Sequence, residues 1–166
     1  WLRNVGGHFE FEKRPGVKQR FYGVNLCFTG NFMSADEAEE LCTRLKRVGY
    51  NAIRIHHYER QDSERSCVTN AADGRLVLDV ENMDRLDYLC SRLIRKGIYL
   101  TTDLYTARRV TWKDIGETGR DGVCPFKTLV HFHSGAYSNW CAFAELFLGH
   151  RNPYTGRTYA EEPALL

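Results

Sequence analysis

No apolar run in this 166-residue sequence approaches the roughly 20 residues that a membrane span requires, so no segment reads as a transmembrane helix. The N-terminus lacks the charged, apolar and small-residue regions of a signal peptide, and a chain that begins at Trp1 reads as an excised or processed segment. A surplus of one charge is missing too: 23 basic and 21 acidic residues, well mixed, leave a formal net charge of +2. That balance gives no electrostatic footprint for nucleic acid or an anionic membrane, so a neutral partner is expected. The six cysteines include no CxxC pair, and Cys27, Cys67 and Cys124 are far apart, which argues against a zinc site. Cys42 and Cys90 fall on the apolar faces of helix candidates, with Cys141 similarly placed, and read as buried free thiols. Nothing in the composition calls for a metal or cofactor.

What is present is enough apolar content, 43%, for one sizeable core, and a repeated unit. Residues Arg44 to Ile55 recur as Arg92 to Asp103; in each copy a basic last helical turn ends at a glycine, Gly49 or Gly97, and runs into a strand. Ser34 and Glu37 form a capping box ahead of Ala38, Leu41, Cys42, Leu45 and Val48 at helical spacing, and the strand Ala52 to His56 follows. Asp79 caps a second helix with Met83, Leu86, Leu89, Cys90, Leu93 and Ile94 on one stripe, and a strand spans Ile98 to Leu104. A third helix is expected to turn Tyr137, Trp140, Cys141, Ala144 and Leu148 to a common face before Gly149 and Asn152-Pro153 break it. Upstream, Phe9-Glu10-Phe11 alternates, Pro15-Gly16 turns, and Gln19 to Val24 is extended, so residues 1–19 are expected to form a small β-hairpin leading into a first strand.

Alternating strands and helices predict an α/β fold with a parallel sheet covered by helices. The polar stretch 60–77, with its Asp73-Gly74 turn, and the irregular stretch 107–125 read as long loops after strands. Both follow C-terminal strand ends, the edge that carries the active site in such folds. That edge offers Asn25, Arg54, His56, His57, Asp103 and Tyr105. Taken singly, Arg54 is expected to pair with a carboxylate, the histidines to end a strand, and Asp103 to serve as a hydrogen-bonding brace or a general acid or base. As a group they argue for a polar cleft. His56 and His57 are consecutive and should point to opposite faces of a strand, so only one is expected in the cleft. Overlaying the two repeats sets His57 opposite Tyr105. The aromatics Phe28, Phe32 and Tyr58 read either as platforms for sugar rings or as ordinary packing.

Four segments together resemble the cellulase-like glycoside hydrolases of family 5: Arg20-Phe21-Tyr22-Gly23-Val24-Asn25-Leu26, Gly49 to His57, Asp84-Arg85-Leu86-Asp87-Tyr88, and His150-Arg151-Asn152-Pro153-Tyr154-Thr155-Gly156. The likeness runs from about Gly7 onward. It implies the N-terminal portion of a (β/α)8 TIM barrel, about three βα units over residues 20–166, preceded by the hairpin and truncated before strand four. It also implies hydrolysis of β-linked glycans by two glutamates, an acid/base and a nucleophile, with carboxyl groups about 5–5.5 Å apart in retaining enzymes. Glu161 to Leu166 matches the family's segment leading into the fourth strand, which places both catalytic glutamates beyond this C-terminus. By the same resemblance Arg54 corresponds to the arginine that keeps the nucleophile ionised, and Tyr105 stands where the family often has a histidine.

The resemblance thus implies a substrate-binding set of Asn25, Arg54, His57, Asp103 and Tyr105, with no catalytic residue and no metal ligand in the chain itself. It further implies an oligo- or polysaccharide partner, no nucleic acid, no membrane, self-association through the open barrel edge, and a secreted, periplasmic or cell-surface setting. Two other readings stand beside it. One is a non-catalytic carbohydrate-binding protein on the same scaffold. The other is a flavodoxin-like domain, for which the loop Cys27 to Phe32 is too aromatic and has too few glycines.

Overall fold

The computed structural model describes all residues from Trp1 to Leu166 except Asp62, Tyr105, Thr106, Asp121 and Cys124. Its centre is a parallel sheet of three strands, β4 (Gly23–Cys27), β5 (Ala52–His56) and β8 (Tyr99–Thr102), in the order β4-β5-β8. Helix α1 (Ala35–Val48) joins the first two strands and α2 (Val80–Arg95) joins the last two. The order follows the chain, with β4 at one side; a flavodoxin-like sheet would hold its first strand between the second and third.

Local chemistry sets these boundaries. Ser34 accepts from the Glu37 amide while the Glu37 carboxylate accepts from the Ser34 amide at 2.8 Å, so two otherwise orphaned donors at the start of α1 are satisfied. At its end Gly49, at φ 97°, returns its amide to Leu45 and releases the chain into β5. Asp79 caps α2 by accepting from the Asn82 amide at 2.9 Å. The stripe Met83, Leu86, Leu89, Cys90 and Leu93 is then buried against Ile53, Ile55 and Leu100 of the sheet and Cys42 and Leu45 of α1. Each aliphatic side chain of this size contributes about 1.5–3 kcal/mol when fully buried. Because side chains alternate along β5, the same geometry that sends Ile53 and Ile55 to the helices leaves Arg54 and His56 on the opposite face.

Several elements differ from the sequence reading. The N-terminal segment is a three-stranded antiparallel sheet, β1 (Leu2–Val5), β2 (His8–Phe11) and β3 (Lys18–Gln19), because Gln19 turns back to pair with Phe9. Phe11 of this sheet stacks on Tyr99 at 5.1 Å, at the N-terminal end of β8. The stretch 60–77 holds a hairpin, β6 (Val68–Asn70) and β7 (Leu76–Leu78), closed by the turn at Gly74. After β8 come the short α3 (Phe126–Leu129) and then α4 (Ser134–Leu148). Helix α4 buries Ala136, Phe143 and Phe147, whereas Tyr137 is exposed. Its buried stripe is therefore rotated from the expected face, since apolar side chains ring the helix and leave no clean stripe to read. Beneath the loop and α4 lies a second core of Val110, Ile115, Val123, Phe126, Val130 and Ala136. Cys42, Cys67 and Cys90 are buried free thiols, and Cys27 and Cys141 are partly buried.

The last residues add to the parallel sheet. Leu165 bridges Leu100 in parallel, the Leu100 amide donating to the Ala164 carbonyl at 2.7 Å and the Leu166 amide to the Leu100 carbonyl at 2.8 Å.

Candidate functional site

The cluster at the C-terminal ends of β5 and β8 is built around one carboxylate. Asp103 follows β8 directly and accepts from Arg54 Nε at 2.8 Å, from Arg54 Nη2 at 2.7 Å and from His56 Nδ1 at 2.6 Å. The paired contacts with Arg54 are the parallel fork that suits guanidinium and carboxylate. From behind, the buried Tyr58 hydroxyl donates to the Asp103 main-chain carbonyl at 2.8 Å, so the residue is held at both ends.

Register explains why these groups meet. Arg54 is paired with Thr101 and Ile55 with Thr102, one residue short of the correspondence in the sequence repeat. A one-residue change of register exchanges the faces of a strand. The observed pairing therefore puts Asp103, two residues beyond Thr101, on the face of Arg54 and His56 rather than beside Ile55. Asn25, in register with Arg54 across β4 and β5, is exposed on that face too.

Burial pushes the Asp103 carboxyl up, but hydrogen bonds from Arg54 and His56 and the nearby guanidinium charge outweigh it and hold the group below its ordinary range. A carboxylate held ionised by three donors is a poor proton acceptor, so the geometry makes Asp103 a brace that fixes Arg54 and His56. Arg54 is itself held charged by Asp103. Its side chain stays 40% exposed, and among the described residues no hydrogen bond occupies its Nη1.

The two histidines do not split across the strand. β5 ends at His56, and His57 adopts a left-handed φ of 53°, which interrupts the alternation and brings the two rings to 3.8 Å. His57 lies parallel to Phe28 at 4.8 Å, with the guanidinium of Arg60 5.5 Å from the same Phe28 ring. Phe28 is the other non-glycine residue with positive φ among those described, at 52°. The His57 imidazole is depressed in pKa by burial and by the neighbouring His56, and its buried Nδ1 has no hydrogen-bond partner among the described residues.

Of the sequence-derived set, Arg54 and Asp103 meet, Asn25 shares their face, His57 stands beside His56, and Tyr105 lies outside the described residues. Sequence reasoning left His56 out of that set, although it supplies the third donor to Asp103. It also missed Glu59, which is fully buried and accepts from the Ala107 amide at 2.6 Å, tying the end of β5 to the loop after β8. Phe32 and Tyr58 are fully buried and belong to the core, so neither can offer a face to a sugar. Among the described residues no group of three or more His, Cys, Asp or Glu side chains is arranged to hold a metal ion, and no helix is long and apolar enough to cross a membrane.

No sequence-family model matches this chain, and no curated protein matches it by sequence. Solved structures do match in fold. The endo-1,4-β-mannanase of Rhizomucor miehei superposes with a TM-score of 0.73 at 14% identity, over 99% of this chain and 46% of the mannanase. A glycoside hydrolase family 5 mannosidase from the same organism gives 0.68 at 15% identity, over 100% of this chain and 47% of its own. The endo-β-1,4-mannanase of Thermotoga petrophila gives 0.62 at 19% identity, over 91% of this chain and 34% of that one. The chain thus has an α/β fold like part of these two mannanases and the family 5 mannosidase, and it spans less than half the length of each.

Proposed function

We propose that this chain is part of a glycoside hydrolase that cleaves β-linked glycans, of the cellulase and mannanase kind, and that it supplies the first three βα units of a (β/α)8 barrel. One observation carries the reading: the Arg54–Asp103–His56 cluster sits at the C-terminal edge of a parallel sheet, where the loops after β5 and β8 open. The stagger of one residue between the repeat and the pairing of β5 with β8 supports it, because a barrel of eight strands and shear eight advances by one residue per strand.

In this reading Asn25, Arg54, His57, Asp103 and Tyr105 bind substrate, joined by His56, and hydrolysis proceeds with retention. The acid/base and nucleophile glutamates come from residues outside this chain. Glu161 and Glu162 are not candidates, since Glu161 accepts from the Thr158 amide and hydroxyl and the buried Glu162 accepts from the Ala164 amide. The parent is exported from the cell, as its polymeric substrate requires. The outer side of β4, which among the described residues pairs with no strand besides β5, is covered by further strands of the parent or by a second copy.

The test is to express the polypeptide that continues past Leu166 and assay it on β-1,4-mannan and cellulose, following the anomeric form of the first product by NMR. Turnover with retention is expected from the parent and none from residues 1–166 alone. A folded parent that hydrolyses neither polymer, or a truncated chain that does so by itself, would overturn the proposal.

A further inference from the structure

Away from the Asp103 cluster, the hairpin β6–β7, the loop 108–114 and helix α4 enclose an open groove of about 720 Å³. That lies within the roughly 300–1,000 Å³ of ordinary ligand pockets. Three guanidinium groups line it, Arg75, Arg108 and Arg109, against a single carboxylate, Asp114. In a chain whose overall charge is nearly balanced, this is a local excess of positive charge.

Arg108 is unusual for its setting. No carboxylate forms an ion pair with it among the described residues; its Nη2 donates to the Asn139 side-chain oxygen at 2.6 Å, and its guanidinium lies 5.5 Å from the Phe126 ring and 5.1 Å from the Phe143 ring. Desolvation is strong enough to lower its pKa in spite of the charges of Glu59 and Asp114. Even a half-buried cation with no carboxylate bonded to it is costly unless something compensates it. Here two aromatic faces and one amide hold the guanidinium in place, and its remaining N–H groups are not spent within the described structure.

Beside it, Arg109 is exposed and makes no hydrogen bond or ion pair with any described residue. Arg75 is anchored on Asp73 at 2.6 Å. The carboxylate of Asp114 is committed to the Thr111 amide and hydroxyl, at 2.7 and 2.8 Å, which limits how far it can neutralise the arginines. Besides Thr111, the rest of the polar lining is Gln61, Asn70 and Asn139, amides of the kind that pair with sugar hydroxyls. The loops forming the groove follow β5 and β8, the strands whose C-terminal ends carry the proposed substrate cluster.

We propose that this groove binds an acidic glycan, with Arg108 and Arg109 receiving the carboxylate of a uronate residue and the amides receiving its hydroxyls. The inference rests on the glycosidase reading for the idea that a glycan reaches this edge, and it adds that the glycan recognised here carries carboxylates. Planar guanidinium and planar carboxylate allow paired hydrogen bonds, which a neutral sugar cannot offer Arg108.

The intact polypeptide containing this chain is titrated calorimetrically with tri-galacturonate, with mannotriose and with inorganic phosphate, at low and at about 0.5 M salt. Tri-galacturonate is expected to bind, mannotriose to bind at least about tenfold more weakly, and salt to reduce the acidic ligand's affinity. Arg109→Gln, at an exposed position, and Arg108→Lys, which keeps the charge but loses the fork, are each expected to weaken tri-galacturonate binding by about tenfold. Equal affinity for mannotriose, or an affinity that neither substitution changes, would overturn the proposal. Phosphate binding as tightly as tri-galacturonate would also overturn it, marking a simple anion site. No turnover is read in these titrations, so their failure is separate from a failure of the parent to hydrolyse neutral β-glycans.

Discussion

Arg54 in β5 and Asp103, directly after the adjacent β8, face each other as a forked ion pair, with nitrogen–oxygen distances of 2.8 and 2.7 Å, and His56 completes the arrangement by donating to the same carboxylate. Each partner is fixed by its strand, so the pair records the register of β5 against β8 in a single contact.

Asp103→Asn removes the negative charge and leaves one acceptor oxygen for three donors. Because Arg54 is 40% exposed, solvent screens much of the attraction, and a loss of about 1 kcal/mol in urea unfolding is expected. The sign with pH follows from the depressed carboxyl: its contribution is complete above the unfolded value of about 3.9 and is lost as the pH falls through the folded one. The part of the wild-type advantage due to this carboxylate should shrink below about pH 4. An advantage that grew on acidification would contradict the assignment.

In the parent polypeptide, Arg54→Lys keeps a positive charge but cannot make the fork. A fall of about tenfold or more in kcat/KM on β-mannan is expected, with Arg54→Ala lower still. Unchanged kinetics for both variants would remove Arg54 from the proposed site.

Asp87, buried in α2, accepts from His150 Nε2 at 2.6 Å and from the Tyr159 hydroxyl at 2.8 Å. Asp87→Ala orphans both donors and is expected to cost about 3 kcal/mol, whereas Asp87→Asn retains an acceptor and should cost clearly less. Burial raises the Asp87 carboxyl despite these bonds. A raised carboxyl contributes most stability below its unfolded value and loses it as the pH rises through the folded one. The gap between wild type and Asp87→Asn in thermal melts should therefore narrow as the pH rises above about 4.

Gly135 opens α4 against the carbonyl of Ile115. A methyl group there would stand 1.9 Å from that oxygen, which forces the helix and the turn Lys113–Ile115 apart. Gly135→Ala is expected to lower stability by about 2–3 kcal/mol, read as a reduced denaturation midpoint with an unchanged slope.

The sequence was most legible where one local signal decided the outcome. The strand Ala52–His56, the Ser34–Glu37 box, the Asp79 cap and the apolar stripe of α2 were readable because capping residues and a single period agree there. The hairpin β6–β7 was not, since each strand holds only three residues, too few to show alternation. The repeat revealed two equivalent helix-to-strand units. It could not reveal that pairing shifts them by one residue, and that shift places Asp103 beside His56. The left-handed backbone at His57 carries no glycine to announce it, so alternation was extended one residue too far.

The bridge between Leu100 and Leu165 makes one amide a reporter. Leu100 is fully buried, and its N–H is taken by Ala164, a residue only two short of the end of the described chain. Its hydrogen-exchange rate is therefore a clock for the detachment of the last residues from β8, independent of unfolding elsewhere whenever that detachment is the easier opening. Among the described residues the far side of the same sheet has no such latch, so exchange along β4 and at Leu100 would record two different events in one molecule.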